Sequence, residues 1–471
     1  MKKTTFALYF GNRGFFPESL IAGARRELKQ RLTQLGYGTL LMDARATPHG
    51  AVESPADGAK YAAFLDAHRG QFDGVILCLP NFGDETGAIS ALRDAGVPIL
   101  LQAYPDELDQ MGFQTRRDAF CGKFSVMDVF CQYGLPFTTF QPHTVHPNSD
   151  TFAQHVHDFA AICRVVNGMK RTIIGAIGAR TTAFKTVRFD ELTLQRVGIT
   201  TEALDLSDVV QRTAKVKTSS DAYRAKAKRL KGYTNWRGVP AKAFETLVKL
   251  GVVLDDLMAE YHMDAMALRC WIELEQILKV SPCVLLSEIN DRGIPAACEL
   301  DVGNAVAMHA LSLASGRPST CLDWNNNYGD DPGKCILFHC GPVPQSLMTA
   351  KGQVIEHPMF AKALGAGCGF GCNVGRIAAA PMTFASTKTQ DGKLCFYLGE
   401  GEFTADPIAD DFFGCAGVVR IEKLQDKLEV IGHQGYRHHV GVTPGHVAAA
   451  VNEAFLRYLK YDKTILEIRA K

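Results

Sequence analysis

The sequence predicts an α/β protein in which two segments of alternating strands and helices precede a strand-rich C-terminal segment. Residues 1–168 and 169–315 both alternate short apolar runs with stretches of helical periodicity. Such alternation is typical of βαβ units around a parallel sheet. From residue 316 onward, glycine and proline become frequent and short apolar runs dominate, which favours an antiparallel sheet or barrel. We therefore expect three domains, 1–168, 169–315 and 316–471.

The first segment carries the clearest alternation. Its predicted strands are 5–10, 38–42, 74–79 and 97–101, and its predicted helices are 18–35, 60–68 and 152–166. Two polar, turn-rich loops, 11–17 and 80–85, follow the first and third strands. Because parallel sheets bind ligands beyond the carboxyl ends of their strands, these are either ordinary connecting loops or substrate-contacting loops.

The second segment also alternates predicted strands and helices, and it contains no nucleotide-binding motif. We predict strands at 171–178 and 265–268 and helices at 241–262, 281–290 and 300–313. The Gly-Ala-Ile-Gly turn that ends the first strand lacks both G-x-G-x-x-G and the P-loop lysine, which excludes a dinucleotide or nucleoside triphosphate site of those types. Residues 213–233, rich in Lys, Arg and Ala, indicate a solvated helical face rather than a nucleic-acid patch.

The third segment contains mainly strands. We predict them at 335–339, 378–383, 394–399, 417–421 and 428–431, with one helix at about 445–459.

The composition is that of a globular protein with balanced charge. Hydrophobic residues make up 46% and charged residues 21%, and 471 residues suffice for two or three domains. Because 51 basic residues meet 50 acidic ones, the chain lacks the bulk charge that a nucleic-acid partner requires.

No apolar run approaches the roughly 20 residues of a membrane span. The apolar run after Lys2 and Lys3 is too short for a signal peptide and indicates a first strand. We therefore expect a cytoplasmic protein with no membrane partner.

The cysteines indicate free thiols in a reducing compartment. There are 14 of them, scattered and mostly flanked by apolar residues, in a chain too long for a disulfide scaffold. Cys335 with Cys340, and Cys368 with Cys372, are the pairs that could suggest zinc. Their spacings and the lack of any CxxC pair make core or loop thiols the favoured interpretation.

Two acidic windows are candidates for chemistry. Glu299 stands before an apolar helix, where it or Asp301 could serve as an N-terminal cap, or Glu299 could be a ligand. Asp323 is followed by Trp324, Asn325, Asn326, Asn327 and Tyr328. A plain turn would explain the Asp and Asn residues, whereas aromatic faces beside amides are also what sugar rings bind.

A histidine cluster near the C-terminus is the third window. His433, His438, His439 and His446 fall within 14 positions, beside glycines. They are either surface histidines near a turn or ligands and proton carriers. His339, at the end of an apolar strand, is a further candidate. One imidazole with two carboxylates would favour Mn²⁺ or Mg²⁺ over thiolate-bound zinc, and such a metal polarises a carbonyl oxygen.

Together these windows resemble the L-fucose isomerase and L-arabinose isomerase superfamily. In L-fucose isomerases a glutamate and an aspartate 24 positions apart bind manganese with one C-terminal histidine, and Glu299 and Asp323 are 24 apart. Alignment on Gly445-His446-Val447-Ala448 makes His439 the matching histidine. His438 falls where the fucose isomerases have asparagine, and the arabinose isomerases also show a His-His pair.

The resemblance implies a metal-dependent aldose–ketose isomerase that works through a cis-enediol. Glu299, Asp323 and His439 would hold Mn²⁺, or another divalent cation such as Mg²⁺ or Co²⁺, and the two acids would also transfer the proton. The implied substrate-binding residues are Arg13, Trp324, Asn325, Asn327, His339 and His438. The implied fold is two Rossmann-like α/β domains and a β-rich, antiparallel, barrel-like C-terminal domain. The implied assembly is a homo-oligomer with active sites at subunit contacts.

The substrate stays open, because this chain is shorter than the L-fucose isomerases and matches them loosely outside these windows. A deoxy-hexose, a pentose and an anionic sugar such as sulfoquinovose are all compatible. A sulfonate would need cationic donors, for which Arg13, Arg180 and Arg437 are available. The alternatives are a non-catalytic sugar-binding or regulatory protein on the same scaffold and a metal-dependent hydrolase.

Overall fold

The computed structural model describes residues 3–181 and 183–467, which form two compact units. One unit runs from the first described residue to Asn167 and includes Glu453–Lys460. The other contains Gly168–Asn452 and the described residues from Tyr461 onward. The division into domains 1–168, 169–315 and 316–471 remains a prediction.

The N-terminal unit is built on a four-stranded parallel sheet. Its strands are β1 (Thr5–Phe10), β2 (Gly38–Leu41), β3 (Gly74–Leu79) and β4 (Ile99–Ala103). Its helices are α1 (Ser19–Gln34), α2 (Pro55–Ala67), α3 (Glu85–Leu92), α4 (Ala119–Gln132) and α5 (Asp150–Met169). The strand order is β2-β1-β3-β4. Every residue of β3 is buried, as its unbroken apolar run predicts for a strand covered on both faces.

The second unit begins with another four-stranded parallel sheet. Its strands are β5 (Thr172–Ile177), β6 (Ile199–Leu204), β7 (Ala265–Leu268) and β8 (Ala296–Cys298). Its helices are α6 (Glu191–Arg196), α7 (Leu206–Lys215), α8 (Asp221–Tyr233), α9 (Ala241–Glu260), α10 (Glu273–Ile277), α11 (Cys283–Asp291) and α12 (Val302–Ser315). The strand order is β6-β5-β7-β8.

The same unit continues into a nine-stranded, mostly antiparallel sheet. Its strands are β9 (Thr320–Asn327), β10 (Lys334–His339), β11 (Gln353–Glu356), β12 (Phe370–Arg376), β13 (Ala380–Gln390), β14 (Lys393–Phe403), β15 (Cys415–Arg420), β16 (His439–Pro444) and β17 (Asp462–Lys463). Six strands close into a barrel in the order β15-β10-β9-β16-β13-β14, because β14 also pairs with β15. This arrangement confirms the predicted fold class.

Three helices follow or interrupt the strands of this part of the chain: α13 (Pro358–Leu364), α14 (Leu424–His433) and α15 (Ala448–Glu453), with a π-helical turn at Ala454–Leu459.

The predicted strand 428–431 is wrong, because these residues lie inside helix α14. The short apolar run suggested a strand, but Leu424, Leu428 and Ile431 are spaced four and three residues apart, on one side of a helix. Leu424 and Ile431 are buried in the barrel core, which accounts for the helix.

The cysteines and the helices also bear on two expectations from the sequence. No disulfide joins any cysteine there, which agrees with the predicted free thiols. No helix in the described part of the chain combines the length and the apolar character needed to cross a membrane.

Candidate functional site

Three of the predicted site residues lie together in the second unit. His439 on β16 stands directly opposite Asp323 on β9 in the antiparallel pairing. Glu299 follows the last residue of β8. The Nε2 atom of His439 lies 2.9 Å from Glu299 Oε2 and 3.4 Å from Asp323 Oδ1. Residues separated by up to 140 positions therefore meet where the parallel sheet adjoins the barrel.

The backbone after β8 presents Glu299 to the site. Both Glu299 and Leu300 adopt the left-handed conformation, with φ of 60°. Because of this turn, α12 begins only at Val302. Asp301 is its N-cap and accepts a hydrogen bond from the backbone N–H of Asn304 at 3.0 Å. Of the two alternatives for the cap, the structure selects Asp301.

A buried chain of charges orients His439. Its Nδ1 atom lies 2.8 Å from Asp301 Oδ2, and the other oxygen of Asp301 accepts from Arg437 at 2.8 Å. Arg437 also donates to the carbonyl of Thr387. In the neutral ring the Asp301 carboxylate holds the proton on Nδ1, which leaves the lone pair of Nε2 directed at Glu299 and Asp323.

The carboxylates and His439 stabilise each other's charged forms. Burial raises the pKa of Glu299, but the neighbouring histidines and the Trp271 indole outweigh it and hold that pKa at about 2. Burial likewise opposes ionisation of Asp301, yet Arg437 and His439 lower its pKa to about 2. Burial disfavours charged His439, but the surrounding carboxylates raise its pKa well above the ordinary value.

Four polar atoms at this point are buried without a hydrogen-bond partner. They are Glu299 Oε2, Asp323 Oδ1, His339 Nε2 and His439 Nε2. Glu299 Oε2 and His439 Nε2 approach each other without hydrogen-bond alignment. Buried polar atoms are rarely left unpaired, and two carboxylate oxygens with an imidazole nitrogen form a donor set for a hard divalent cation. The residues present therefore fit a metal ion.

His339 and His438 differ from His439 in orientation. The Nδ1 atom of His339 accepts the backbone N–H of Cys340 at 2.8 Å, so its neutral ring carries the proton on Nε2. That nitrogen suits donation to an oxygen better than metal ligation. Although burial opposes protonation, Cys340 and Asp323 raise the pKa of His339 to about 9. The half-exposed His438 lies 3.9 Å from Asp323, and burial lowers its pKa.

A cavity of about 330 Å³ opens onto Glu299 and Asp323. Its walls are mainly apolar and include Trp271, Phe338, Phe360 and Phe413. No Lys or Arg lines it within the described residues. The cavity can enclose a small molecule whose polar end meets the carboxylates and His339.

The remaining predicted residues lie elsewhere. Trp324 packs edge-on against Phe384 and donates to the hydroxyl of Tyr397 at 3.2 Å. Asn325 and Asn327 line a separate cavity.

Arg13 lies in the N-terminal unit. It donates to the carbonyl of Gly83 at 3.0 Å, forms an ion pair with Glu85 and stacks over Phe82 at 4.3 Å. Of the other cations considered for an anionic sugar, Arg437 is already held by Asp301, and Arg180 donates to the carbonyl of Thr181.

Two residues of this site carry no signal in the amino-acid sequence. Trp271 donates to Glu299 Oε1 at 2.9 Å and leaves Oε2 facing the metal-ligand cluster. Glu275 lines the cavity, is fully buried and has one unpartnered oxygen. Neither belongs to a motif or stands beside the other site residues in the sequence.

Two family models match the chain. The model described as fucose/sulfoquinovose isomerase, N-terminal domain, matches residues 7–170, and that described as L-fucose isomerase, C-terminal domain, matches residues 337–466. The sulfoquinovose isomerases of Priestia aryabhattai and Priestia megaterium (strain ATCC 12872 / QMB1551) are both 22% identical over 392 residues, covering 82% of this chain and 84% of theirs. The sulfoquinovose isomerase of Clostridium sp. (strain MSTE9) is 25% identical over 309 residues, covering 64% of this chain and 66% of its own.

Proposed function

Because the chain belongs to the fucose isomerase-like superfamily, whose members are aldose–ketose isomerases, we propose that it isomerises a sulfonated aldose such as sulfoquinovose with the help of a divalent cation. The observation that supports metal dependence is the convergence of unpartnered atoms of Glu299, Asp323 and His439 at the cavity. Relatives named sulfoquinovose isomerase support the sulfonated substrate.

Glu299, Asp323 and His439 would hold the cation, for which Mn²⁺ is our first choice. When bound, the cation would polarise the carbonyl oxygen and the neighbouring hydroxyl of the open-chain sugar. Trp271 fixes one oxygen of Glu299, which leaves the other oriented toward the substrate. The low pKa of Glu299 keeps it ionised, which is the state that a carboxylate needs to hold a cation.

In the proposed reaction one of the two acids removes the proton from the carbon beside the carbonyl group. The carbonyl oxygen gains a proton to give a cis-enediol of the sugar. Return of the first proton to the former carbonyl carbon, with loss of the proton of the neighbouring hydroxyl group, gives the ketose. His339, with its Nε2 proton directed into the site, would donate a hydrogen bond to a sugar oxygen. The apolar walls exclude water, which strengthens these polar contacts.

The cavity walls favour a second candidate substrate. Without Lys or Arg in its described lining, the cavity offers apolar contacts that suit the methyl group of a 6-deoxy-hexose. A sulfonate would instead need a cation from outside this cavity. Arg13 of a neighbouring subunit is our candidate, following the resemblance to L-fucose isomerases.

The test is a panel of aldoses containing sulfoquinovose, L-fucose and L-arabinose, assayed for ketose formation with and without a chelator. We expect sulfoquinovose to be converted and the chelator to abolish activity until Mn²⁺ is restored. If L-fucose is converted in preference to sulfoquinovose, the substrate is a deoxy-hexose and not a sulfonated sugar. Activity that survives complete metal removal would contradict the proposed metal dependence.

A matched pair of variants tests the acid. Glu299→Gln removes the carboxylate and should lower kcat by roughly 10²- to 10⁴-fold. Glu422→Gln makes the same change at an exposed position outside the cavity and should leave kcat unchanged. If Glu299→Gln binds Mn²⁺ and keeps full activity, the proposed proton transfer is wrong.

A further inference from the structure

Four cysteines from separate segments meet at the inner wall of the cavity, and three of them line it. Cys270 follows β7, Cys283 begins α11, Cys298 ends β8 and Cys340 follows β10. All belong to the second unit, and the first three are almost inaccessible to solvent. We call these four residues the thiol cluster.

The sulfur atoms of the thiol cluster are close together. Cys270 Sγ lies 3.0 Å from Cys298 Sγ, and Cys283 Sγ lies 3.4 Å from Cys340 Sγ. Ligand atoms of Cys298 and Cys340 are within 4.8 Å of one another. Cys298 therefore lies near both Cys270 and Cys340.

The backbone around the thiol cluster permits this approach. Gly341 has a φ of 155°, and a Cβ atom there would lie 3.1 Å from Cys283 Cβ and 2.6 Å from the backbone nitrogen of Asn373. Glycine thus lets the chain after Cys340 pass close to Cys283. On the other side, β7 and β8 are adjacent parallel strands with Leu268 in register with Cys298, which brings Cys270 beside Cys298.

We infer that the thiol cluster is a second metal site, which binds a thiophilic divalent cation such as Zn²⁺. Four thiolates are the usual donor set of a closed structural zinc site, with sulfur atoms about 3.8 Å apart for a Zn–S bond of about 2.3 Å. The two observed sulfur–sulfur distances are shorter than this value, so modest side-chain rotations would provide the separation. The proposal is independent of the isomerase proposal, since it uses different donors and a softer metal.

The thiol cluster would also brace the catalytic site. Cys270, Cys298 and Cys340 immediately precede or follow Trp271, Glu299 and His339 in the sequence. A bound cation would tie β7, β8 and β10 together at the residues that carry these groups. We therefore expect a structural role, in which metal loss loosens the site without removing a reacting group.

The experiment uses the full chain, reduced and freed of metal, and titrated with Co²⁺ under anaerobic conditions. Tetrahedral thiolate ligation of Co²⁺ gives intense visible bands and a sulfur-to-metal charge-transfer band, which carboxylate and imidazole ligands do not give. We expect these bands to saturate at about one Co²⁺ per chain and to be bleached by Zn²⁺. Their absence from the wild-type protein, or a native disulfide between Cys270 and Cys298, would overturn the site.

Variants locate the ligands. Cys283→Ser and Cys298→Ser should each lower the charge-transfer intensity or the cobalt affinity by roughly tenfold or more. Cys335→Ser, at another buried thiol on β10, should leave both unchanged. Glu299→Gln should keep the thiolate bands while it loses isomerase activity, so failure of one proposal can be told from failure of the other. Equal cobalt binding by Cys298→Ser and Cys335→Ser would exclude the thiol cluster.

Discussion

Asp301 serves two purposes at once, and the two can be separated by substitution. It caps α12 and holds the proton of His439 on Nδ1. In Asp301→Asn the amide still caps the helix, but it no longer supplies the negative charge that fixes the ring. We predict that Mn²⁺ affinity, measured by calorimetry, falls roughly 10- to 100-fold.

A control for Asp301→Asn exists at another helix start. Asp205 caps α7 in an exposed position, so Asp205→Asn should change neither metal affinity nor thermal stability appreciably. Asp301→Ala, which loses the cap as well, should unfold at a lower temperature, since such a cap is worth about 1 kcal/mol. Unchanged metal affinity in Asp301→Asn would rule out the positioning role.

Glu275 should make stability depend on pH. Burial is the main cause that raises its pKa to about 8, with Cys340 and Glu273 adding to it, while Ser281 donates to one of its oxygens. Because the unfolded chain releases this proton at lower pH, stability falls as pH rises from about 4.5 to about 8, by roughly 5 kcal/mol at most. Glu275→Gln mimics the neutral acid and should remove this loss.

The measurement is the thermal unfolding midpoint of wild type and Glu275→Gln between pH 5 and pH 8. The variant should gain relative to wild type as the pH rises and match it near the acidic end. Parallel curves for the two proteins would show that ionisation of Glu275 does not destabilise the folded protein.

At the residue scale, the sequence revealed the groups that a spacing or a cluster marks. Glu299 and Asp323 were found by their separation, and His439 by its neighbours. Trp271 could not be found in this way, because its contact with Glu299 follows from how β7 and β8 end side by side. The role of Asp301 also depends on the left-handed backbone of Glu299 and Leu300. Neither residue is a glycine, so the sequence does not indicate a turn there.

At the element scale, unbroken apolar runs predict strands reliably, whereas a short run interrupted by a charged residue does not. The runs that became β1, β3 and β7 were predicted with the same bounds that the structure shows. Residues 428–431 were assigned to a strand because four residues are too few to reveal a period of 3.6. Only the longer spacing from Leu424 to Ile431 identifies α14.

A propensity test can verify α14 in solution. Glu429 lies on its exposed side, so substitutions there report backbone preference rather than packing. We predict that Glu429→Ala is more stable than Glu429→Thr by about 0.5 kcal/mol, because alanine favours helices and threonine favours strands. Denaturant midpoints of the two variants give the comparison, and the opposite order would support a strand. The weak ion pair with His433 is lost in both and cancels.

At the scale of the whole molecule, the cluster of Glu299, Asp323 and His439 depends on one unit that joins a parallel sheet to a barrel. Glu299 comes from the end of β8, whereas Asp323 and His439 come from neighbouring barrel strands. The matched family models cover 7–170 and 337–466, which leaves the two acids outside both. What marks the two acids is therefore their spacing in the sequence and their approach to His439 in the structure.

The N-terminal unit carries an apolar surface that suits a subunit contact. Phe120 and Phe124 lie one turn apart on α4, contact each other edge to face and both pack against His143; they are about half exposed, at 52% and 54%. Exposed aromatic pairs of this kind are uncommon on monomers and frequent at interfaces. We expect them to contribute to the homo-oligomer that the superfamily resemblance implies.

The double variant Phe120→Asp/Phe124→Asp should therefore form a smaller species than the wild type in light scattering coupled to size-exclusion chromatography. Because both side chains are exposed, the fold should persist with stability changed by only about 0.5 kcal/mol per site. If active sites are completed across subunits, isomerase activity should fall while Mn²⁺ binding, which we assign to Glu299, Asp323 and His439, is retained. Leu192→Asp, at an exposed apolar residue of the other unit, is the control and should keep both mass and activity.

Two outcomes would contradict this prediction. If the double variant has the wild-type mass, Phe120 and Phe124 do not contribute to the subunit contact. If it forms a smaller species that is fully active, each chain builds a complete active site alone.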